Sequence, residues 1–235
     1  MANLYSSDDT GDKFKLHSGF SITITTSIAS PTATPGGITW DDTDFFSTSY
    51  GATDKIYRHT GFSTTIAASI AAPAATAVGL TCDAAPIGNI ISGNQADDKI
   101  RKHSGFSVTI TDSFVGGTGN ETSDVTFDGS GNVYGIRFAG GAGKSVKYTG
   151  FSATVSSSFA GPANASGCTW DGTNFYATDL AGGAGTCKKY TGFTSTVNAS
   201  INVAANTRSI AWDDAAARLA GGATPAALHF LLMGV

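Results

Sequence analysis

The sequence predicts an all-β fold, a five-bladed β-propeller with four antiparallel strands per blade, closed by pairing the N-terminal and C-terminal strands in one blade. Three observations predict it. A motif recurs as HSGFS (17 to 21), HTGFS (59 to 63), HSGFS (103 to 107), YTGFS (148 to 152) and YTGFT (190 to 194), its glycines 42, 44, 45 and 42 residues apart. A second motif runs out of phase with it: ITWDD (38 to 42), LTCDA (80 to 84), VTFDG (125 to 129), CTWDG (168 to 172) and IAWDD (210 to 214). The third observation is at the ends. The first copy begins in the middle of a unit, at Asn3-Leu4-Tyr5, and the fifth copy stops after Ile210 to Asp213, so each end lacks what the other supplies. A fixed period of this length means a repeat architecture, and complementary ends mean a closed ring instead of a capped solenoid.

Each unit reads as four strands. Strand a is ITWDD, and its Asp-rich end is a turn signal that leads into strand b, as in DFFSTSY (44 to 50). Strand c is DKIYRHTG (54 to 61) and strand d is FSTTIAASI (62 to 70). In strand d, Ile24, Ile66, Ile110, Val155 and Val197 form one column, with Thr23, Thr65, Thr109, Thr154 and Thr196 facing the other way. A period of two in Thr and branched apolar residues is strand physics. The domain expectation is a propeller over residues 1–214 and a C-terminal apolar tail over 215–235.

Composition narrows the function classes. Charged residues are only 14%, the net charge is −4 and the pI about 5.4, so nothing draws the chain as a whole to nucleic acid or an anionic membrane. The longest apolar run, Pro225 to Val235, is about half of the ~20 residues a membrane span needs, and His229 interrupts it. The N-terminus shows neither a basic nor an apolar leader region, so the expectation is synthesis in a host cytoplasm without export. Cys82, Cys168 and Cys187 are odd in number and form no CxxC pair; Cys168 stands where other copies have Ile38, Leu80, Val125 and Ile210, and Cys187 matches Phe14, Ile56 and Ile100, which marks both as buried hydrophobes.

Units of the form GCTWDGTNFYATD (167 to 179) and DKIYRHTGFS (54 to 63) resemble NHL and YVTN-like β-propeller repeats, of the tandem-repeat kind found in phage and environmental sequences. The resemblance covers residues 3 to 214. It implies the propeller fold and a phage context, and leaves function open, because propellers host enzymes, lectins and scaffolds alike.

Several columns invite chemistry. Asp41, Asp83, Asp128, Asp171 and Asp213 recur once per blade, either as an axial carboxylate ring for a hard cation or as Asx turns, the reading that their turn context favours. His17, His59 and His103 lie a blade apart and alternate with Tyr148 and Tyr190, which argues for amphipathic packing and against a shared metal. Strand c carries 11 of the 14 basic residues, a cationic band balanced by Asp54, Asp97 and Asp98. Trp40, Trp170 and Trp212 share a column with Cys82 and Phe127, which reads as inter-blade packing. No catalytic residues, metal ligands or cofactor are expected.

Two binding surfaces are expected instead. Leu228, Phe230, Leu231, Leu232 and Met233 form an apolar cluster for docking on other virion proteins or on further copies of the chain, or for covering the chain's own ring. Tyr57, Tyr148 and Tyr190 are candidate contacts for surface glycans, one shallow site per blade. The function expected is therefore a non-enzymatic structural or adhesion protein of a phage virion. The alternatives are a carbohydrate-binding propeller and, further off, a lactonase- or lyase-like enzyme.

Overall fold

The computed structural model describes residues 2–51, 54–84, 88–117, 122–138, 143–180 and 185–213. Twenty strands make five antiparallel sheets of four, and each sheet is one blade. Blade 1 contains β1 (Leu4–Asp8), β2 (Lys13–His17) and β3 (Ile24–Ala29); blade 2 contains β4 (Pro35–Trp40), β5 (Phe45–Ser49), β6 (Lys55–His59) and β7 (Ile66–Ala71). Blade 3 is β8 (Ala77–Cys82), β9 (Ile90–Asn94), β10 (Lys99–His103) and β11 (Ile110–Val115). Blade 4 is β12 (Thr122–Phe127), β13 (Val133–Arg137), β14 (Lys144–Tyr148) and β15 (Val155–Ala160). Blade 5 is β16 (Ala165–Trp170), β17 (Phe175–Asp179), β18 (Thr186–Tyr190) and β19 (Val197–Asn202). The last strand, β20 (Thr207–Trp212), is the inner strand of blade 1, in the sheet order β20-β1-β2-β3. The inner strands β4, β8, β12, β16 and β20 pack side by side around the axis.

Closure reproduces, without a covalent link, the turn that the other blades make in continuous chain. Leu4 pairs with Trp212 as Phe45 pairs with Trp40. Where blade 4 turns from β12 to β13, the Asn132 amide and side chain donate to the two Asp128 carboxylate oxygens at 3.0 and 2.7 Å, and the Asp128 amide donates to the Asn132 carbonyl at 3.2 Å. In blade 1 the Asn3 amide donates to Asp213 Oδ1, Asn3 Nδ2 donates to Asp213 Oδ2 at 2.8 Å, and the Asp213 amide donates to the Asn3 carbonyl at 3.1 Å. Asp41, Asp83 and Asp171 accept equivalent backbone amides, which establishes the strand-a aspartates as Asx turns and not as an axial cation ring.

The HSGFS motif is the turn between strands c and d. His59 Nδ1 lies 2.9 Å from the Ser63 carbonyl, Ser63 Oγ donates to the Thr60 carbonyl at 2.7 Å, and Gly61 takes the left-handed φ of +58° that the turn needs. A carbonyl can only accept, so Nδ1 carries the proton and Nε2 accepts from the Ser47 hydroxyl at 2.9 Å. Ser6 serves His17 and Ser92 serves His103 in the same way. In blades 4 and 5 the ring is Tyr148 or Tyr190, and the residue in the serine column is Gly135 or Ala177. A Cβ on Gly135 would stand 3.4 Å from the Tyr148 ring, so the larger ring is accommodated by a smaller strand-b partner. The exchange of His for Tyr therefore needs an adjustment, one that only strand pairing makes visible.

That pairing yields a prediction. His59→Tyr alone drives a phenol toward Ser47, and Ser47→Gly alone removes the donor to Nε2; each should cost about 1–3 kcal/mol. The double variant copies blade 4 and should recover at least ~1 kcal/mol of the summed loss in urea denaturation. It should also change the acid response. Burial lowers the pKa of His17, His59 and His103, which outweighs the hydrogen bonds that raise it. An unfolded chain then binds protons first, so stability is full above ~6.5 and declines as the pH falls below that value. Removing one histidine should shallow that decline.

Packing between blades bears out the Trp, Phe and Cys columns. Trp40 stacks on Tyr5, Trp170 on Tyr134 and Trp212 on Tyr176, each across a blade boundary with ring centroids 5.0–5.6 Å apart. Where the inner strand offers Cys82, the neighbouring blade offers Phe46. Phe62, Phe106 and Phe193 lie over Tyr5, Phe46 and Tyr134 of the preceding blade, half-buried in their turns. All three cysteines are free and buried, and burial pushes the Cys168 and Cys187 thiols far above their ordinary range, so neither supplies a thiolate near neutral pH.

Candidate functional site

The ring has two unlike faces. One carries the a–b and c–d turns, built from the repeated Asx and GFS motifs; the other carries the b–c and d–a connections. Gly143 and Gly185, which end the two AGGAG segments on the second face, are held by close packing: a Cβ there would meet the carbonyl of Pro162 or Ala204 at 1.7 or 2.1 Å. Residues 139–142 and 181–184 lie outside the described residues.

On this second face the residues around the axis vary from blade to blade. The first residue after each strand b is Asp9, Tyr50, Gln95, Phe138 and Leu180 in blades 1 to 5, and no two are alike. The second residue of each strand a is Arg208, Gly36, Val78, Ser123 and Ser166 in the same blade order. All of these except Asp9 and Gly36 line a hollow of about 190 Å³ at the mouth of the axis, completed by Asn164 and Ala165. Arg208 is fixed there: its Nε and Nη2 reach Asp9 Oδ2 at 2.9 Å, and its guanidinium lies 4.5 Å from the centre of the Tyr50 ring.

Beneath the hollow the axis is plugged. At this level the inner strands approach backbone to backbone, and a Cβ on Gly37 or Gly79 would fall 2.7 or 2.8 Å from the next strand. The same column holds Asp124, Gly167 and Ser209, and Asp124 is fully buried. Its carboxylate accepts the Cys168 amide at 2.9 Å, the Ser209 hydroxyl at 2.8 Å and its neighbour's amide at 2.9 Å, together with the Leu80 amide. Ser209 Oγ in turn accepts the Ile38 amide at 3.2 Å. One carboxylate and one hydroxyl thereby serve inner-strand amides of blades 2 to 5, groups that would otherwise be buried without partners. Burial pushes the Asp124 carboxyl well above the usual range, against the pull of its donors. Further along, the axis narrows to about 10 Å³ among Thr39, Thr81, Thr126 and Thr169, room for about one water, so the mouth is a cup and not a pore.

The candidate glycan tyrosines do not form a surface. Tyr148 and Tyr190 are 1% and 3% exposed inside blade cores, and Tyr57 is half-buried two residues before His59, in a different column. Grouping them by residue type joined positions that the fold separates. Leu228, Phe230, Leu231, Leu232 and Met233 lie outside the described residues. Much of the basic band is internally paired: Lys15 with Asp8, Arg58 with Asp44, Arg101 with Asp97, Lys102 with Asp83 and Lys188 with Asp179. Among the described residues, no group of three His, Cys, Asp or Glu side chains is placed to hold a metal ion.

No protein-family model matches the chain, and no curated protein matches it. Solved structures do. A chain of a nidogen/laminin complex aligns at 12% identity and a TM-score of 0.54, covering 92% of this chain and 99% of that one. A glutaminyl cyclase from Myxococcus xanthus aligns at 9% identity and a TM-score of 0.53, covering 70% and 76%. Both are β-propellers, and at these identities the likeness shows the fold alone.

Proposed function

We propose that the protein is a non-enzymatic structural or adhesion module of a phage virion, made in the host cytoplasm, in which a rigid ring is displayed and the segment after residue 214 attaches it to other virion proteins or to further copies of the chain. The observation that carries this reading is the division of the ring into a face of repeated turns and a face on which the residue after strand b differs in all five blades beside one cup. A ring with one differentiated face suits presentation: β1 and β20 close a uniform scaffold, and the diverged positions of the second face stand where a partner would meet them. In sequence, Leu228, Phe230, Leu231, Leu232 and Met233 are an apolar cluster of the kind that suits attachment.

Imaging of purified particles with a label on the protein tests this. Copies at defined positions on the particle are expected, and removal of residues 222–235 should abolish them while the ring keeps its melting temperature. Finding the protein only in the host cytosol would overturn the proposal.

A further inference from the structure

Five internal repeats act as five samples of one strand arrangement, so a column that changes in every copy is either free at the surface or part of a single asymmetric site. At the axial mouth the side chains of Tyr50, Gln95, Phe138, Leu180 and Arg208 are half-buried around a shared hollow, and Val78 is 6% exposed. Positions free of constraint would point into solvent; these converge.

We infer that the cup is a binding site, one per ring, for a neutral, hydroxyl-rich six-membered ring: a pyranose, met as the terminal residue of a glycan. The chemistry of the lining selects this class. Tyr50, Phe138, Val78 and Leu180 offer aromatic and aliphatic surface to the C–H faces of such a ring. Asn164 and Ser123 offer groups that both donate and accept, as vicinal hydroxyls require, beside Ser166, whose hydroxyl is already held by Thr207 and Thr178. Asp9 already neutralises Arg208, so the cup holds no surplus charge for an anion, while the fixed guanidinium is still a planar donor. A wholly apolar ligand would take Asn164 and Ser123 out of water. The volume, about 190 Å³, is below the ~300–1,000 Å³ of drug-sized sites and suits a single ring. This inference rests on the adhesion reading for where the sugar is met, and replaces one shallow site per blade by one cup per ring.

The test is saturation-transfer NMR on the full chain with methyl glycosides of glucose, galactose, mannose and N-acetylglucosamine, and with glucitol as an open-chain control. Transfer to at least one methyl pyranoside is expected, none to glucitol, with one site per ring. Tyr50→Ala and Asn164→Ala should each weaken binding roughly tenfold or more while the ring stays folded. Tyr57→Ala should leave it unchanged. Comparing the free methyl glycoside with an immobilised oligosaccharide that ends in the same sugar tells a free monosaccharide from a glycan terminus. Transfer to no pyranoside, equal binding of glucitol, five sites per ring, binding only of the free monosaccharide, or binding that survives both variants would overturn the inference. None of these results bears on where the protein sits in a particle, so the display reading fails or stands separately.

Discussion

Deleting residues 1–9 is expected to abolish cooperative folding. The deletion removes β1 from the middle of blade 1, so β20 loses its partner and β2 is left with an open edge. It takes away Leu4 and Tyr5, at 0% and 4% exposure, and with Tyr5 the stack on Trp40 that joins blade 1 to blade 2. A fully buried Leu alone contributes about 2–5 kcal/mol, and typical domain stability is ~5–15 kcal/mol, so the loss of a whole strand exceeds what the ring can absorb. The exposed edges should then drive aggregation. Circular dichroism melting and sedimentation check this, and a monomeric truncated chain with an unchanged melt would contradict it. Asp213→Ala is a gentler probe: it removes both carboxylate contacts to Asn3 and should cost about 2 kcal/mol.

Asp124→Ala should cost about 3–5 kcal/mol, the second large effect. Alanine leaves the amides of Leu80, Val125 and Cys168 and the Ser209 hydroxyl facing a dry gap at the axis. For a chain of this size the midpoint of thermal unfolding should fall by roughly 10 °C. Asp124→Asn retains one good acceptor and should lose about half as much. A cost below ~1 kcal/mol for alanine, measured by urea denaturation, would show that water or a shift of the inner strands takes over the role of the carboxylate.

These two sites differ in how plainly the sequence announces them. Closure was legible because a missing strand b at Asn3 and an unpaired strand a at Asp213 can be counted without coordinates. The packing columns were legible because Cys82 and Cys168 stand in hydrophobic company. Asp124 was not: in TSDVTF it looks like one polar residue among others, and its meaning comes from sharing a column with Gly37, Gly79 and Gly167. Aligning the residue before each ITWDD-type motif shows Gly, Gly, Asp, Gly and Ser, a signal that was available. The cup was hidden for a different reason. Its lining comes singly from all five blades and forms no motif, so only the ring brings Tyr50, Gln95, Phe138 and Arg208 together. Tyr148 and Tyr190 misled because an amphipathic ring on a strand reads equally well as a surface platform and as packing, and the deciding partners, Gly135 and Ala177, lie on another strand.

The central claim is that the two ends of the chain complete one blade, and native-state hydrogen exchange measures it on the intact protein. If β1 and β20 pair as β16 and β17 do, their backbone amides open only with the ring as a whole, and their protection should match that of β16 and β17 within about tenfold. Amides of β1 and β20 that exchange at the rate of the exposed turns, while the other four blades stay protected, would mean that the ring is not closed by its termini.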